Sequence, residues 1–517
     1  MKRILLLAAI LLCSTDYGRS QTYADDVAQL IFDNCASCHH PDGIAPFSLM
    51  TYQEVDANSA QIYDAIAQDR MPPWPPNEDY KSFSHSRDLP DADKTIILDW
   101  LTDGMPEGDP ANTPAPPVFN TNAILGSGDL ELQAPTYTSK ATNFDDYVCF
   151  SIPSGLTQGR TIKAMEVVPG NAPIVHHALI YIDETGSYAT DTVGGDCAGP
   201  TTAKLVGGYT PGATPLVFPN SSGLKLGMEL PANSNIVLAM HYPAGSNGMK
   251  DSTRVIFHFY DEPVSGVREI SADPILQNWS FTLPPEQVTE VSASYSNIPI
   301  DISILSIFPH MHLLGDHIRS YGLDANDDTI RMIDIPHWDF EWQDFYMFKN
   351  MVRIPANSTL HADGAFNNTA TNDHNPNNPA ITINPGLNTT DEMFLVYFHY
   401  MMYQPGDENY NIEDLTSLSV SSFLQDDPSG LINVFPNPVS EQLSIDVSGK
   451  SGENVVSAAI YDLQGRLVST LAQGKTFSDQ TTLTWDSNDG LIKTSSGIYF
   501  LSVRLNGQLI EQKVVKQ

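Results

Sequence analysis

Between residues 118 and 425 the sequence breaks into short apolar runs set apart by clusters of Gly, Pro, Asn and Asp: "TIKAMEVVPG", "HHALIYID", "SNIVLAMHYPAG", "TRVIFHFYDEP", "DISILSIF" and "DEMFLVYFHYMMY". Runs of this length, bounded by turn residues, predict strands rather than helices. No strand–helix–strand alternation accompanies them, which argues against a parallel α/β sheet and for β-sandwiches. With 517 residues the chain is too long for one hydrophobic core, so several domains are expected.

Histidines sit inside these runs. "IFPHMHLLGDHI" carries His310 and His312 two residues apart, so on a strand they share a face. His176 and His177 are adjacent in "APIVHHALIYID", and His241 ends the apolar part of "IVLAMHYPAG". Taken singly, each is more often an ordinary core or edge histidine than a metal ligand. Adjacent strand residues face opposite sides, so His176 and His177 can share a metal only through a local kink or different ring nitrogens.

The 62 acidic and 26 basic residues leave a formal net charge of -36, which excludes a nucleic-acid partner, since phosphates need a basic surface. At the N-terminus Lys2 and Arg3 precede the apolar "ILLLAAILL", and Gly18 and Ser20 suit cleavage; residues 1–20 read as a signal peptide. That apolar run is too short to span a bilayer, and no later one reaches the ~20 residues a membrane helix needs, so no transmembrane segment is expected. Cys13 leaves with the signal, and Cys35, Cys38, Cys149 and Cys197 remain in an exported chain where pairing is allowed.

Cys35, Cys38 and His39 form "CASCH", in which two thiols can add to haem vinyl groups and the histidine can ligate the iron. The pattern follows "YADDVAQLIFDN", with Val27, Leu30, Ile31 and Asn34 at helical spacing. Met71 stands just before the prolines of "MPPWPP", and "DADKTIILDWLTDGM" predicts a further helix with Ile97, Trp100 and Leu101 on one face. A bare C-x-x-C is also the pattern of a disulfide or a thioredoxin-like site. With these neighbours, residues 22–110 resemble short bacterial cytochromes c. The resemblance implies a small all-α domain holding covalent haem c through Cys35 and Cys38, with His39 and Met71 as axial ligands. Residues 111–118, rich in proline and small residues, read as a linker.

The β region resembles the copper type II, ascorbate-dependent monooxygenases, the family of dopamine β-hydroxylase and peptidylglycine α-hydroxylating monooxygenase. "DDYVCFSIP", "VHHALIYI", "GYTPGATPLVFPNSSGLKLG", "AMHYPAG", "PHMHLLG" and "DEMFLVYFHY" match that family's motifs in order. The resemblance implies two sandwich subdomains, 119–280 and 281–425, and two copper ions. One copper would be held by His176, His177 and His241 and pass electrons. The other would be held by His310, His312 and the thioether of Met393 and activate dioxygen, with Tyr397 facing the substrate. Imidazoles suit both copper oxidation states, and a soft thioether favours Cu(I). Cys149 and Cys197 are then the leftover pair expected to form a disulfide.

Departures from the family limit the substrate. Phe308 stands where peptidylglycine enzymes carry an arginine, and Leu395 where they carry an asparagine, which disfavours a C-terminal glycine substrate. Phe366 replaces a cysteine before Asn-Asn-Thr, so one family bridge is missing and the second subdomain must be held by packing. His317, His337 and His399 read as structural or surface residues.

After residue 431, "INVFPNPVSEQLSIDV", "YDLQGRLV" and "SGIYFLSV", with the basic "KVVK" end, resemble the C-terminal sorting domain of the type IX secretion system of Bacteroidetes. The expected organisation is thus a cytochrome c domain, two copper-binding sandwiches and a small immunoglobulin-like sandwich, 432–517. The chain would be secreted or held at the cell surface by the type IX machinery. The expected activity is hydroxylation of an activated C–H bond in a small-molecule substrate, using dioxygen and an electron donor, either ascorbate-like or the fused haem. The alternative is a non-catalytic copper- and haem-binding electron-transfer protein.

Overall fold

The computed structural model describes residues 21–416, apart from 42, 118, 120–122, 144, 193–196, 198–202 and 222, and most of 432–516. The segment expected to be a signal peptide lies outside the described residues. The chain divides into two compact units, Met1–Thr416 and Ser417–Gln517.

The first unit opens with helices. A π-helical turn, Tyr23–Val27, runs into Ala28–Asn34; Tyr52–Ala57, Ser59–Ala67 and Asp91–Thr102 follow. Thr22 and Thr51 begin helical segments by accepting the backbone N–H of Asp25 and Glu54, as N-cap hydroxyls do. Val27, Ile31, Ile62, Ile66, Ile97 and Trp100 close one small core.

Two sandwiches follow. In the first, a sheet ordered Leu130–Gln133, Arg254–Phe259, Arg160–Val168, Leu226–Leu230, Arg268–Glu269 packs on a four-stranded sheet. The strands of the latter are β1 (Asp146–Pro153), β2 (His177–Asp183), β3 (Lys204–Tyr209) and β4 (Asn235–Tyr242), in the order β1-β4-β2-β3. In the second sandwich, the sheet of Gln287–Tyr295, Thr359–Asn368, Gly315–Leu323 and Thr329–Ile335 packs on another four-stranded sheet. Its strands are β5 (Ser271–Asn278), β6 (Ile302–His310), β7 (Tyr346–Ile354) and β8 (Phe394–Met402), in the order β5-β8-β6-β7. The chain changes sandwich at Ile270, between Arg268–Glu269 and β5, upstream of the 280/281 division expected from the motifs.

The period-two alternation of strands explains how the sandwiches meet. On β4, Ile236, Leu238 and Met240 point into the first core, so Val237, Ala239 and His241 face outward. On β8, Phe394, Val396 and Phe398 fill the second core, and Leu395 and Tyr397 face outward. These outer faces pack together: Tyr181, Leu205, Val237 and Ala239 of one meet Phe308, Met393, Leu395 and Tyr397 of the other. His399 crosses the same boundary, its Nδ1 2.9 Å from Ser306 Oγ and its Nε2 donating to Leu205 O at 3.3 Å. That is a structural role, as expected. Where the family cysteine is missing, Phe366 is fully buried and stacks on Phe281 at 5.3 Å, while Asn368 Nδ2 donates to the carbonyls of Leu283, Pro284 and Ile381.

The helical module is stitched to the sandwiches by residues 74–87. Trp74 meets Tyr346 edge-on at 5.4 Å, Phe83 stacks on Phe348 at 5.3 Å, and Ser84 N–H donates to Met347 O at 2.7 Å.

Beside the changeover, Arg268 grips Asp407 with both guanidinium nitrogens, at 2.7 and 2.8 Å, and Ser303 Oγ and Gln404 N–H donate to the same carboxylate. Burial alone would raise the Asp407 carboxyl, but these donors outweigh it and hold it below the usual carboxylate range. A depressed folded value contributes stability at neutral pH that is lost as the solution is acidified below the ordinary carboxylate value. Asp407→Asn is therefore expected to cost about 2–4 kcal/mol at pH 7 and much less near pH 3, read from the denaturant midpoint at each pH.

The second unit is a sandwich of a three-stranded sheet (Ile432–Phe435, Gln442–Ser448, Gln480–Asp486) and a four-stranded sheet ordered Leu467–Phe477, Asn454–Asp462, Gly497–Leu505, Gln508–Lys516. Leu443, Ile445 and Trp485 of one sheet share a core with Ile460, Leu501 and Val503 of the other.

Candidate metal centres

The first histidine set forms where β2 and β4 pair, with His177 directly opposite His241. His176 precedes the first residue of β2 and follows the 3-10 turn Ala172–Ile174, which contains Pro173. That turn is the kink the adjacent pair requires: His176 is not held to the strand's alternation, and its N–H donates to His241 O at 3.0 Å. One ligand nitrogen from each of the three rings lies within 4.8 Å of the other two.

The nitrogens that converge can be named. His241 Nε2 is 2.8 Å from Asp145 Oδ2, so this nitrogen carries the proton and Nδ1 holds the lone pair. The Nδ1 atoms of His241 and His177 are 3.0 Å apart, and His176 Nδ1 is buried with no hydrogen-bond partner. Burial holds His177 well below the ordinary histidine value and His176 at about 4, so both are neutral at pH 7 and available as donors. Asp145 also accepts Ala244 N–H at 2.8 Å, which fixes its carboxylate.

The second set lies at the end of β6. His310 Nδ1 donates to Gln343 Oε1 at 2.6 Å, and Gln343 is oriented in turn by donating Nε2 to Phe340 O at 2.7 Å. His312 Nδ1 donates to Asp391 O at 3.1 Å. Both rings therefore present Nε2, the opposite nitrogen from the first set. Their centroids are 5.0 Å apart and their planes nearly perpendicular, at 85°. Burial lowers His310 to about 4; burial and the neighbouring His310 lower His312 to about 3.

Met393 stands immediately before β8, which pairs with β6 through Val396 opposite Pro309 and Leu395 opposite His310. The preceding residue ties the two chains together. Glu392, fully buried, accepts His312 N–H at 2.9 Å and Leu314 N–H at 2.6 Å, and Met393 N–H also donates to it. Burial nevertheless pushes its carboxyl up to about 8.

His177 of the first set and His310 and His312 of the second line one pocket between the sandwiches, together with Tyr147, Ala239, Phe340 and Gln343; the pocket is partly open to solvent. Tyr397 packs in the apolar boundary beside Met393 and is edge-on to Phe308 at 6.1 Å; burial pushes its phenol up to about 12. Cys149 on β1 and Cys197 lie side by side at the same boundary, with a Cα–Cα distance of 5.7 Å that suits a disulfide.

Residues 280–419 match the family model of the copper type II ascorbate-dependent monooxygenase, C-terminal domain. Most of the second sandwich is similar to the copper monooxygenase C-terminal domain. Residues 433–517 match the secretion-system C-terminal sorting domain, which marks the chain for export to the surface or the surroundings. The first sandwich and the helical module lie outside both matches. No curated protein matches the chain. Among solved structures, latent PorU from Porphyromonas gingivalis is 12% identical over 72% of this chain and 34% of that one, with a TM-score of 0.14. The infectious bursal disease virus VP2 subviral particle is 11% identical over 61% of this chain and 92% of that one, with a TM-score of 0.14. The chain thus spans about a third of the length of PorU, and scores this low carry no argument about fold.

The donor chemistry of the matched monooxygenase segment fits copper: two neutral imidazoles with free Nε2 lone pairs, and a thioether on Met393, the neighbour of the Glu392 that accepts His312 N–H. Sequence reasoning placed the donors but assigned no role to Asp145, Gln343 or Glu392. The first stands in the "DDYVCF" motif and the last in "DEM", so their signal was present but carried no role. Asp145→Ala is expected to weaken copper binding at the first set ~10–100-fold and leave the second set loaded, seen as one lost high-affinity step in a copper titration followed by EPR.

In the helical module, Cys35 and Cys38 are half-buried and not bonded to one another. His39 Nδ1 donates to Phe47 O at 3.0 Å, leaving Nε2 free. Met71 is 44% exposed, so it is not a packed core methionine. Two unbridged thiols and a histidine with its distal nitrogen available are donors of the kind covalent haem would need.

Proposed function

We propose that this chain is an exported copper-dependent monooxygenase that hydroxylates an activated C–H bond of a small organic molecule with dioxygen, fed with electrons by its own haem c or by an ascorbate-like donor. The observation that carries the proposal is the pair of histidine sets on facing sheets: His177, His310 and His312 line one pocket, and hydrogen bonds fix the tautomers of His241, His310 and His312. His176, His177 and His241 would hold one copper through Nδ1; His310 and His312 through Nε2, with Met393, would hold the other. When bound, copper supplies the electron storage and dioxygen activation that no side chain offers.

The protein's part is positioning and exclusion. Gln343 and the Asp391 carbonyl each hold the Nδ1 proton of a ligand histidine, so neither ring can turn its lone pair away from the pocket. Glu392 keeps His312 and Met393 in one rigid piece. Phe308 and Tyr397 make the boundary beside the second set apolar, which favours an apolar or aromatic substrate over one with a carboxylate. Cys149 and Cys197, as a disulfide, would brace the first set.

The second reading is a copper and haem electron carrier without turnover. Oxygen uptake by the copper-loaded full chain with ascorbate, across aromatic and aliphatic substrates, separates the two. Substrate-dependent uptake with a hydroxylated product supports the oxygenase. Full copper loading with neither product nor oxygen consumption would make it an electron carrier.

A further inference from the structure

The helical module touches the first sandwich at one place that bears on electron flow. Cys38 Sγ lies 3.6 Å from Pro211 O. The next residue, Gly212, has a φ of +73°, and a Cβ there would stand 3.1 Å from both Cys38 Sγ and Ser37 Oγ. Glycine is thus required twice, for its backbone conformation and for the close approach. Arg87 pins the contact from a third side. Its Nη1 donates to Pro211 O at 3.2 Å while its guanidinium lies 4.8 Å from the Trp342 ring, next to the Gln343 that orients His310.

Pro211 leads directly to the first histidine set. It follows Tyr209 by two residues, Tyr209 ends β3, and β3 pairs with β2 so that Tyr209 stands opposite Ala178, the neighbour of His177. From Pro211 to His177 the connection is a short piece of chain and one step across a ladder, on the order of 15 Å. In a haem c the Cys38 sulfur would be a thioether at the porphyrin rim, so this contact would bring the rim against the sandwich.

We infer that the contact of Ser37–Cys38 with Pro211–Gly212 is the electron entry point of the first histidine set, and that Gly212 and Arg87 are positioning residues for it. This rests on the proposed haem and copper sites. One electron leaves ferrous haem, giving ferric haem, and reduces Cu(II) at His176, His177 and His241 to Cu(I). No bond or proton moves, and a second transfer completes the pair needed per turnover.

The test uses the full chain with haem measured by its alkaline pyridine spectrum and copper by metal analysis. Haem in the oxidised chain is reduced by a laser flash with a photoreductant, and its reoxidation is followed optically while the Cu(II) EPR signal is recorded. Gly212→Val and Arg87→Gln should each slow reoxidation by an order of magnitude or more, with haem content, copper content and ascorbate-driven oxygen uptake unchanged. His241→Ala should abolish that phase. If Gly212→Val fails to fold or load, Arg87→Gln decides alone. Wild-type reoxidation rates in the loaded variants would overturn the entry point and leave the proposed function standing. Absence of haem from the wild-type chain would overturn the haem site itself and this inference with it.

Discussion

On the proposed function, replacing His312 by alanine should reduce the copper content from two per chain to one, abolish hydroxylation and leave the haem spectrum as it was. His312 is the most enclosed donor of the second set: 1% exposed, its Nδ1 proton given to Asp391 O and its backbone N–H to Glu392. With the imidazole gone, the set retains one nitrogen and one weak thioether donor, too few to hold copper against water and buffer. The first set draws its ligands from β2, β4 and the turn before β2, none of which His312 supports, so its copper should stay. Metal analysis, EPR and product assay on one preparation read all three outcomes. Two coppers, or retained hydroxylation, in the variant would show that these histidines are ordinary core residues.

The second large effect is expected at Glu392. In Glu392→Ala three backbone N–H groups, of His312, Leu314 and Met393, lose a common acceptor in a fully buried place. Unsatisfied buried donors cost ~1–3 kcal/mol each, so a total of about 3–9 kcal/mol is expected, measured by denaturant unfolding of the metal-free chain, together with loss of the second copper. Glu392→Gln retains a carbonyl acceptor and should cost clearly less. The pair also differs from wild type in pH response. The folded carboxyl sits at about 8 against an ordinary 4.5, so between those values the folded chain holds a proton that the unfolded chain has released. Wild-type stability should therefore fall as pH rises from about 5 to 8, and this component should vanish in Glu392→Gln. An unchanged slope in that variant would place the raised carboxyl elsewhere.

How far the sequence reached can be seen at particular residues. His310, two places from Phe308, and Leu395, two from Tyr397, obey the strand alternation, so their shared outward face was legible from spacing alone. The objection to His176 and His177 was equally legible, and its answer, the turn at Ala172–Ile174, was not, because propensity does not say which way a short turn aims the next side chain. The partners of Gln343 and Asp145 were out of reach for another reason. These two residues sit 33 and 96 residues from the histidines they orient, a separation that spacing along the chain does not bridge. The docking of Trp74 and Phe83 onto Tyr346 and Phe348 was hidden in the same way, in and just after a proline-rich stretch that drew notice only for Met71.

That stitching favours an order of biogenesis. Once residues 74–87 are laid against β7, Cys38 has Pro211 and Gly212 against one side, which narrows the approach to the second attachment thiol. On the haem c reading, the maturation machinery reaches "CASCH" most easily while the helical module is still free of the β domains. Slowing haem supply during expression should thus yield a fully folded, copper-competent product that is poorly repaired by adding haem afterwards.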